Sequence, residues 1–405
     1  MRILIVTSGT YEYFFSIAGQ LLELGHEVYI FHYEHLGKKN DASSRDTVDP
    51  NTCDLVITAN ILDSPFVLKV LDGLQVHCPI ISIVWGNPIE EIAPLWQRHE
   101  IQEVNNHLKH IDVHLWVSCN RVEEEYRRLG FGSSFYAPLG ISDKYVRLSN
   151  IFRWLHPGQD ICKPTLDIFN NMANPPELNN SPAKIIYRGI LPKKPETHSS
   201  PKMEKLARDT AMHCFENPRV TRLEFEQVWL ALMSLPEAQR TEQFMAYDAW
   251  FNYYLSQNTR RSFVHRLKRE FGDQFLLFGD DWVEENIKSE PTSIVNRELI
   301  YNRIPISIDF GSTNFETCFF PRPIEIIKVG GCLVSYRRPD SDLFFKDSVD
   351  KMVFDNEDQM CERVEGLLNS DNERDLCRQA VHKNTIQEFG LKKILSDIIA
   401  QVTNS

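Results

Sequence analysis

The chain has 405 residues, 42% of them hydrophobic and 25% charged, which excludes large-scale disorder and is enough for two domains rather than one. A formal net charge of -12 argues against generic nucleic-acid binding, which needs a basic surface to displace counterions, so an anionic ligand has to be met by a local cluster of Arg and Lys. The nine cysteines (53, 78, 119, 162, 214, 318, 332, 361 and 377) are odd in number and never form a C-x-x-C pair, a pattern of buried thiols in a reducing cytosol rather than of disulfides or structural zinc.

Met1 to Thr10 reads as a strand, near-continuous in apolar residues from Ile3 to Val6 and closed by Ser8, Gly9 and Thr10. It is not the start of a signal peptide, and no apolar run reaches the ~18 residues of a membrane span. Phe14, Ile17, Ala18, Leu21 and Leu22 recur at helical spacing up to Gly25, and His26 to His32 forms a second strand. No G-x-G-x-x-G dinucleotide fingerprint follows the first strand. The alternation continues with strands at 54–58, 80–85, 113–118 and 134–137 and helices at 65–74, 94–107 and 121–129. Strict alternation implies a doubly wound parallel sheet, with ligands beyond the carboxyl ends of its strands: Ser8 to Thr10, Trp85 to Asn87, Ser118 to Asn120, and Leu139-Gly140. A tight turn without a ligand is the other reading of Ser8-Gly9-Thr10.

Between 143 and 183 the periodicity breaks into linker chemistry, and Lys184 to Ile190 restarts an α/β pattern. A long helical span, 202–271, includes the aromatic run Phe244 to Tyr254, read as packing rather than as a sugar platform. Phe275 to Phe278 is a strand running into Gly279-Asp280-Asp281-Trp282, with the aspartates read as turn chemistry, and a short helix follows at 298–302. From Ile306 to Ser335 the chain reads as a buried strand, then a polar loop with Asp309, Gly311, Ser312 and Asn314. A helix opening at Pro321 or Pro323, a Gly330-Gly331 stop and a strand from Cys332 complete the unit. Arg322 at the helix opening suits a diphosphate, and Glu325 one turn on suits a pair of sugar hydroxyls, which together describe a nucleotide-sugar pocket. A strand at 352–354, helices at 358–368 and 373–385, and a last helix, 386–402, with Ile386, Phe389, Ile394, Ile398 and Val402 on one face, close the chain.

The R-P-I-E run from Arg322 to Glu325, with Gly330-Gly331, resembles the R-x-x-E…GG signature of the spore-maturation-protein-like (CgeB-like) glycosyltransferases, a branch of the GT-B glycosyltransferases. The likeness extends loosely from about Lys184 to the C-terminus and more faintly before it. It implies two Rossmann-like doubly wound domains facing across a cleft: an acceptor domain at 1–142, a linker at 143–183, and a donor domain at 184–385. A helix at 386–405 would pack back on the first domain. It also implies a cytoplasmic hexosyltransferase-like enzyme of polysaccharide biosynthesis, with a nucleotide-sugar of unknown base as substrate and no cofactor. A glycan or lipid-linked acceptor, the latter with peripheral membrane contact, would receive the sugar.

Carried onto this chain, Arg188 and Lys193 are catalytic candidates that would stabilise charge on the departing diphosphate without a metal. Gly279, Asp309, Ser312, Arg322, Glu325, Gly330 and Gly331 would bind the donor, and Ser8, Gly9, Thr10 and Asn87 would lie on the acceptor side. Glu316 is a third catalytic candidate, yet Glu316 and Glu325 stand one residue further apart than the family's paired glutamates. An inverting enzyme would need a general base instead, from among His26, His32, His114, Glu90 and Glu91. A nucleotide-sugar epimerase and a non-catalytic sugar-binding or assembly protein are the alternatives on the same fold.

Overall fold

Strands that are apolar on both faces can be buried only in parallel sheets covered by helices. The computed structural model divides into two compact units, Met1–Asn171 with Phe389–Ser405, and Met172–Glu388. It describes residues 1–7, 12–32, 52–59, 76–84, 112–128, 131, 133–142, 153–154, 182–189, 191–195, 201–218, 234–279, 297–311 and 319–403, together with 61, 67, 71, 230, 282, 287 and 289.

The first unit holds seven parallel strands: β1 (Arg2–Thr7), β2 (Glu27–His32), β3 (Leu55–Ala59), β4 (Ile80–Val84), β5 (Val113–Val117), β6 (Ser134–Tyr136) and β7 (Arg153–Trp154). Their spatial order is β6-β5-β4-β3-β1-β2-β7. β1 pairs with both β2 and β3, and its Ile3, Leu4, Ile5 and Val6 are fully buried, as a central strand requires. Helix α1 (Glu12–Glu23) turns Phe14, Ile17, Ala18 and Leu21 into the core. It stops at Gly25, which takes φ +85° and donates its N–H to the Leu22 carbonyl at 2.9 Å. Helix α2 (Asn120–Arg128) follows β5. Of the two helices expected between β3 and β5, only Val67 and Leu71 fall within the described residues.

The second unit holds β8 (Ile185–Arg188), β9 (Phe275–Phe278), β10 (Ile306–Asp309), β11 (Leu333–Tyr336) and β12 (Val353–Phe354), again all parallel, in the order β12-β11-β10-β8-β9. The long helical span is not continuous: it comprises α3 (Pro201–Glu216), α4 (Glu237–Ser256), a π-helical turn (Gln257–Arg261) and α5 (Ser262–Phe271). The aromatic run of α4 packs inward. Phe244, Tyr247 and Trp250 are buried, and Phe251 and Tyr254 lie against Ala211 and Cys214 of α3. Helices α6 (Arg297–Arg303) and α7 (Pro321–Lys328) flank β10 in sequence. Beyond β11 come α8 (Ser341–Phe345), α9 (Val349–Met352), α10 (Glu357–Asn369), α11 (Asp371–Phe389) and α12 (Leu391–Thr403).

Two boundaries differ from expectation for local reasons. Met352 ends a single helical turn rather than opening β12. The final helix begins after Gly390, so Ile386 belongs to α11, because the backbone around Gly390 is spent on the first unit: Ile141 donates to Phe389 O at 2.9 Å and Leu391 donates to Ile141 O at 2.8 Å. Helix α12 then packs against α1 and buries Leu391, Ile394, Leu395, Ile398, Ile399 and Val402, each side chain contributing about 1.5–3 kcal/mol. Close approach is possible because Gly140 takes φ +69°, and a Cβ there would stand 3.0 Å from Leu391 Cα. Among the described residues no helix is long and apolar enough to cross a membrane.

Candidate active site at the β8–β10 crossover

In the second sheet the chain steps from β8 to β9 on one side and then to β10 on the other, so the switch point, where parallel sheets bind ligands, lies between β8 and β10. Ile308 pairs with Tyr187, which puts Asp309 level with Arg188 at the carboxyl edge. Helix α7 returns to that edge with its first turn. Pro321 sits at the first helical position with fixed φ, and Phe320 before it is extended, so the turn is pre-organised. Two of its early residues, Pro321 and Pro323, have no N–H, and the Ile324 N–H is used on the Phe320 carbonyl at 3.2 Å. Anion affinity here therefore depends on side chains more than on the helix terminus.

Those side chains form two cation–carboxylate pairs. Arg322 Nη1 donates to Asp309 Oδ1 at 2.9 Å, and the second oxygen, Oδ2, accepts from the Gly311 N–H at 2.8 Å. Asp309 is 1% exposed and Arg322 23% exposed. Burial works against the charge on Arg322, but Asp309, seconded by Tyr187 and Tyr301, outweighs it and holds the guanidinium above the ordinary arginine pKa. The guanidinium also lies 5.9 Å from the centre of the Tyr187 ring, a cation–π arrangement. Next to it, Arg188 Nη1 and Glu325 Oε2 stand 3.8 Å apart, both 19% exposed. This pair is longer than the first, and its carboxylate is more exposed than that of Asp309, so it is the weaker of the two.

Gly311 continues the pattern, with φ +79° and the Arg338 guanidinium so close that a Cβ would come within 2.0 Å of Nη2. Arg338, which follows β11, donates from Nη2 to the Phe310 carbonyl at 3.3 Å and so ties the end of β10 to that of β11. Two buried tyrosines complete the cluster. The Tyr187 and Tyr301 hydroxyls are shielded from water and form no well-made hydrogen bond among the described residues, although Arg322 and Arg188 respectively approach them. Burial, above all, pushes both phenols upward, so both remain protonated donors.

Of the residues singled out in the sequence, Arg188, Asp309, Arg322 and Glu325 come together. Asp309 does so as a positioning group: each of its oxygens accepts from a protein donor, and it is almost fully buried. Gly279 has a reason within the fold: at φ +145°, a Cβ would lie 2.0 Å from the Gly189 carbonyl, which also accepts from Trp282 Nε1 at 2.7 Å. The lack of a side chain there serves the contact between the ends of β8 and β9. Gly330 and Gly331 are not in the cluster. They end α7 in a Schellman motif, Gly331 N–H to Ile326 O at 2.8 Å and Gly330 N–H to Ile327 O at 2.9 Å, at the amino edge of the sheet where β11 begins. Lys193 is exposed in the segment after β8. Ser8, Gly9, Thr10, Asn87, Ser312 and Glu316 lie outside the described residues, as do Glu90, Glu91 and the His32 side chain. His26 precedes β2 and His114 opens β5, both at the amino edge, and His114 is held by Ser133 Oγ at 2.7 Å and Asp112 at 2.9 Å. Tyr187, Tyr301 and Arg338 carried no motif in the sequence.

Residues 259–400 match the family described as Glycosyl transferase-like. No curated protein sequence matches the chain. Among solved structures, T4 phage BGT in complex with its UDP-glucose substrate shares 13% identity over 99% of each chain, with a TM-score of 0.50. A glycosyltransferase from Rickettsia africae shares 14% over 100% of this chain and 98% of that one, TM-score 0.45. An α,α-trehalose-phosphate synthase (UDP-forming) from Burkholderia vietnamiensis shares 10% over 99% and 97%, TM-score 0.45. The chain thus has the two-domain Rossmann-like GT-B fold, and its residues 259–400 are similar to the family described as Glycosyl transferase-like.

Proposed function

We propose that the protein transfers a sugar from a nucleotide-sugar donor, bound by the second unit, to a hydroxyl of a glycan or lipid-linked acceptor bound by the first. The observation that carries this reading is the convergence of Arg188, Arg322 and Glu325 at the switch point of the second sheet. Asp309 fixes Arg322 before any ligand arrives, so little ordering cost remains to be met on binding. A diphosphate entering beside Arg188 competes with Glu325 for that guanidinium, and the released carboxylate is free to accept from the ribose hydroxyls. As the glycosidic bond breaks, negative charge accumulates on the diphosphate, and the two guanidiniums stabilise it more in the transition state than in the ground state. In this reading the arginines supply the positive charge that a metal supplies elsewhere, and Glu316 and the acceptor-side residues Ser8 to Thr10 and Asn87 remain candidates from sequence.

The test is calorimetric titration of nucleoside diphosphates, and of their sugars, into the wild-type chain and into Glu325→Ala and Arg322→Ala. Loss of a charge-assisted contact should weaken the preferred nucleotide about tenfold or more in each. Unchanged affinity in two folded variants would sink the assignment. Conversion of the bound nucleotide-sugar in the absence of any acceptor would point to an epimerase instead.

A further inference from the structure

A helix that leads into a strand of a parallel sheet runs against it, and so begins at the sheet's carboxyl edge. Helix α5 leads through Gly272–Gln274 into β9, and its start therefore lies on the same edge as Arg188 and Arg322. Packing agrees with the topology: the Phe263 ring, at the second position of α5, is 5.1 Å from Phe310, 5.2 Å from Tyr336 and 5.3 Å from Phe354. Those residues end or directly follow β10, β11 and β12. The turn immediately before α5, Gln257–Arg261, is π-helical. Such a turn inserts an extra residue, shifts the side chains that follow around the helix, and recurs at functional sites.

The π turn is tied down on both sides. Gln257 Nε2 donates to the Pro192 carbonyl at 3.0 Å, in the segment that leaves β8. Thr259 Oγ1 donates back to the Leu255 carbonyl at 2.7 Å. Next in the chain is Arg260, half-buried; burial raises the Tyr187 phenol above its ordinary value, and the nearby positive charge of Arg260, like that of Arg322, works against that rise. The Tyr187 hydroxyl lies hard against Gly189, where a Cβ would come within 2.2 Å of it. It is a buried donor without a well-made hydrogen bond among the described residues. Arg260 stands three residues before Phe263, on the side of the helix whose next turn packs on the strand ends, and Arg322 lies 5.9 Å from the centre of the Tyr187 ring, so both arginines belong to the mouth of β8.

We propose that Arg260, presented by this π turn, is a third arginine of the donor site and binds the diphosphate of the nucleotide together with Arg188 and Arg322. This rests on the nucleotide-sugar reading above. The turn gives the arginine its direction: in an uninterrupted α-helix from α4 to α5 the residues after Gln257 would be rotated away from their present face. A guanidinium on this helical turn would contact the phosphates from a direction that neither Arg188 nor Arg322 covers, which selects for a diphosphate over a monophosphate.

The experiment titrates wild type, Arg260→Ala, Arg260→Lys and Glu325→Ala with a panel of UDP, GDP, ADP and TDP, and with the matching monophosphates and nucleosides. The expected result is a loss of about tenfold or more in diphosphate affinity in Arg260→Ala, partial recovery in Arg260→Lys, and nucleoside affinity within about twofold of wild type. Should Arg260→Ala fail to fold, Arg260→Gln keeps the length and polarity without the charge and should show the same selective loss. Wild-type diphosphate affinity in a folded charge-free variant, with Glu325→Ala impaired, would overturn the role of Arg260 and leave the donor site standing. Absence of binding by wild type itself would overturn both.

Discussion

Asp309→Asn tests whether the site is pre-assembled. The carboxylate serves two donors at once, the Arg322 guanidinium at 2.9 Å and the Gly311 N–H at 2.8 Å, at 1% exposure. Asparagine has the same shape but only one acceptor oxygen, so one of those donors would face an NH₂ group. An unpaired buried donor costs about 1–3 kcal/mol, and breaking a buried ion pair from one side about 3–5 kcal/mol. Arg322 keeps 23% of its side chain exposed and can turn part of its charge to water, so the lower end applies, about 3 kcal/mol. In a unit the size of Met172–Glu388, each kcal/mol lowers the melting temperature by roughly 2–4 °C, so the drop should be roughly 6–12 °C. Differential scanning calorimetry of the nucleotide-free protein measures it. A shift under about 2 °C would mean that Asp309 does not hold Arg322, and that the arginine is positioned in some other way.

Gly279→Ala should destabilise the nucleotide-free protein by about 3 kcal/mol or more, because the added Cβ would meet the Gly189 carbonyl at 2.0 Å in a backbone conformation that alanine rarely adopts. A variant that melts like wild type yet no longer binds nucleotide would return this glycine to the ligand. Cys332 is buried and its thiol is pushed up to about 12, so iodoacetamide at pH 8 should leave it unmodified in the native state and label it only on unfolding. Peptide mass spectrometry after native-state treatment reads this directly, and prompt labelling would contradict the packing of β11.

Much of the architecture was legible because it is encoded locally. Short β-branched runs such as Ile3 to Val6 and Ile80 to Val84 read as strands buried on both faces, and Pro321 and Gly330 mark where α7 starts and stops. The Arg322–Glu325 spacing, one helical turn, likewise puts both side chains on one face without any knowledge of the fold. What escaped is what depends on partners far along the chain. The segment around Asp309 does not by itself reveal that Arg322, on the next helix, donates to its carboxylate. That Gly279 also makes room for the Gly189 carbonyl could not be read locally, because Gly189 lies on the neighbouring strand's exit. Gly330-Gly331 belongs to the motif by sequence, but a helix carries its stop to the opposite edge from its start. The π turn has no signature in hydrophobic periodicity, and Arg260 gave no sign of its placement.

Helix α12 bears on how the protein is made. The first unit owns residues at both ends of its sequence, 1–171 and 389–405, and its α1 packs against α12. On a ribosome that face is synthesised early, and its cover arrives after all of 172–388 has been translated, about 10–40 s later at typical elongation rates. During that interval a nascent first unit exposes the apolar surface that Leu391, Ile394, Leu395 and Ile398 later cover. Chaperone dependence and aggregation of translation-arrested chains should therefore fall sharply once α12 has cleared the exit tunnel, and a stop codon at Leu391 should yield a protein whose defect lies in solubility before it lies in the donor site.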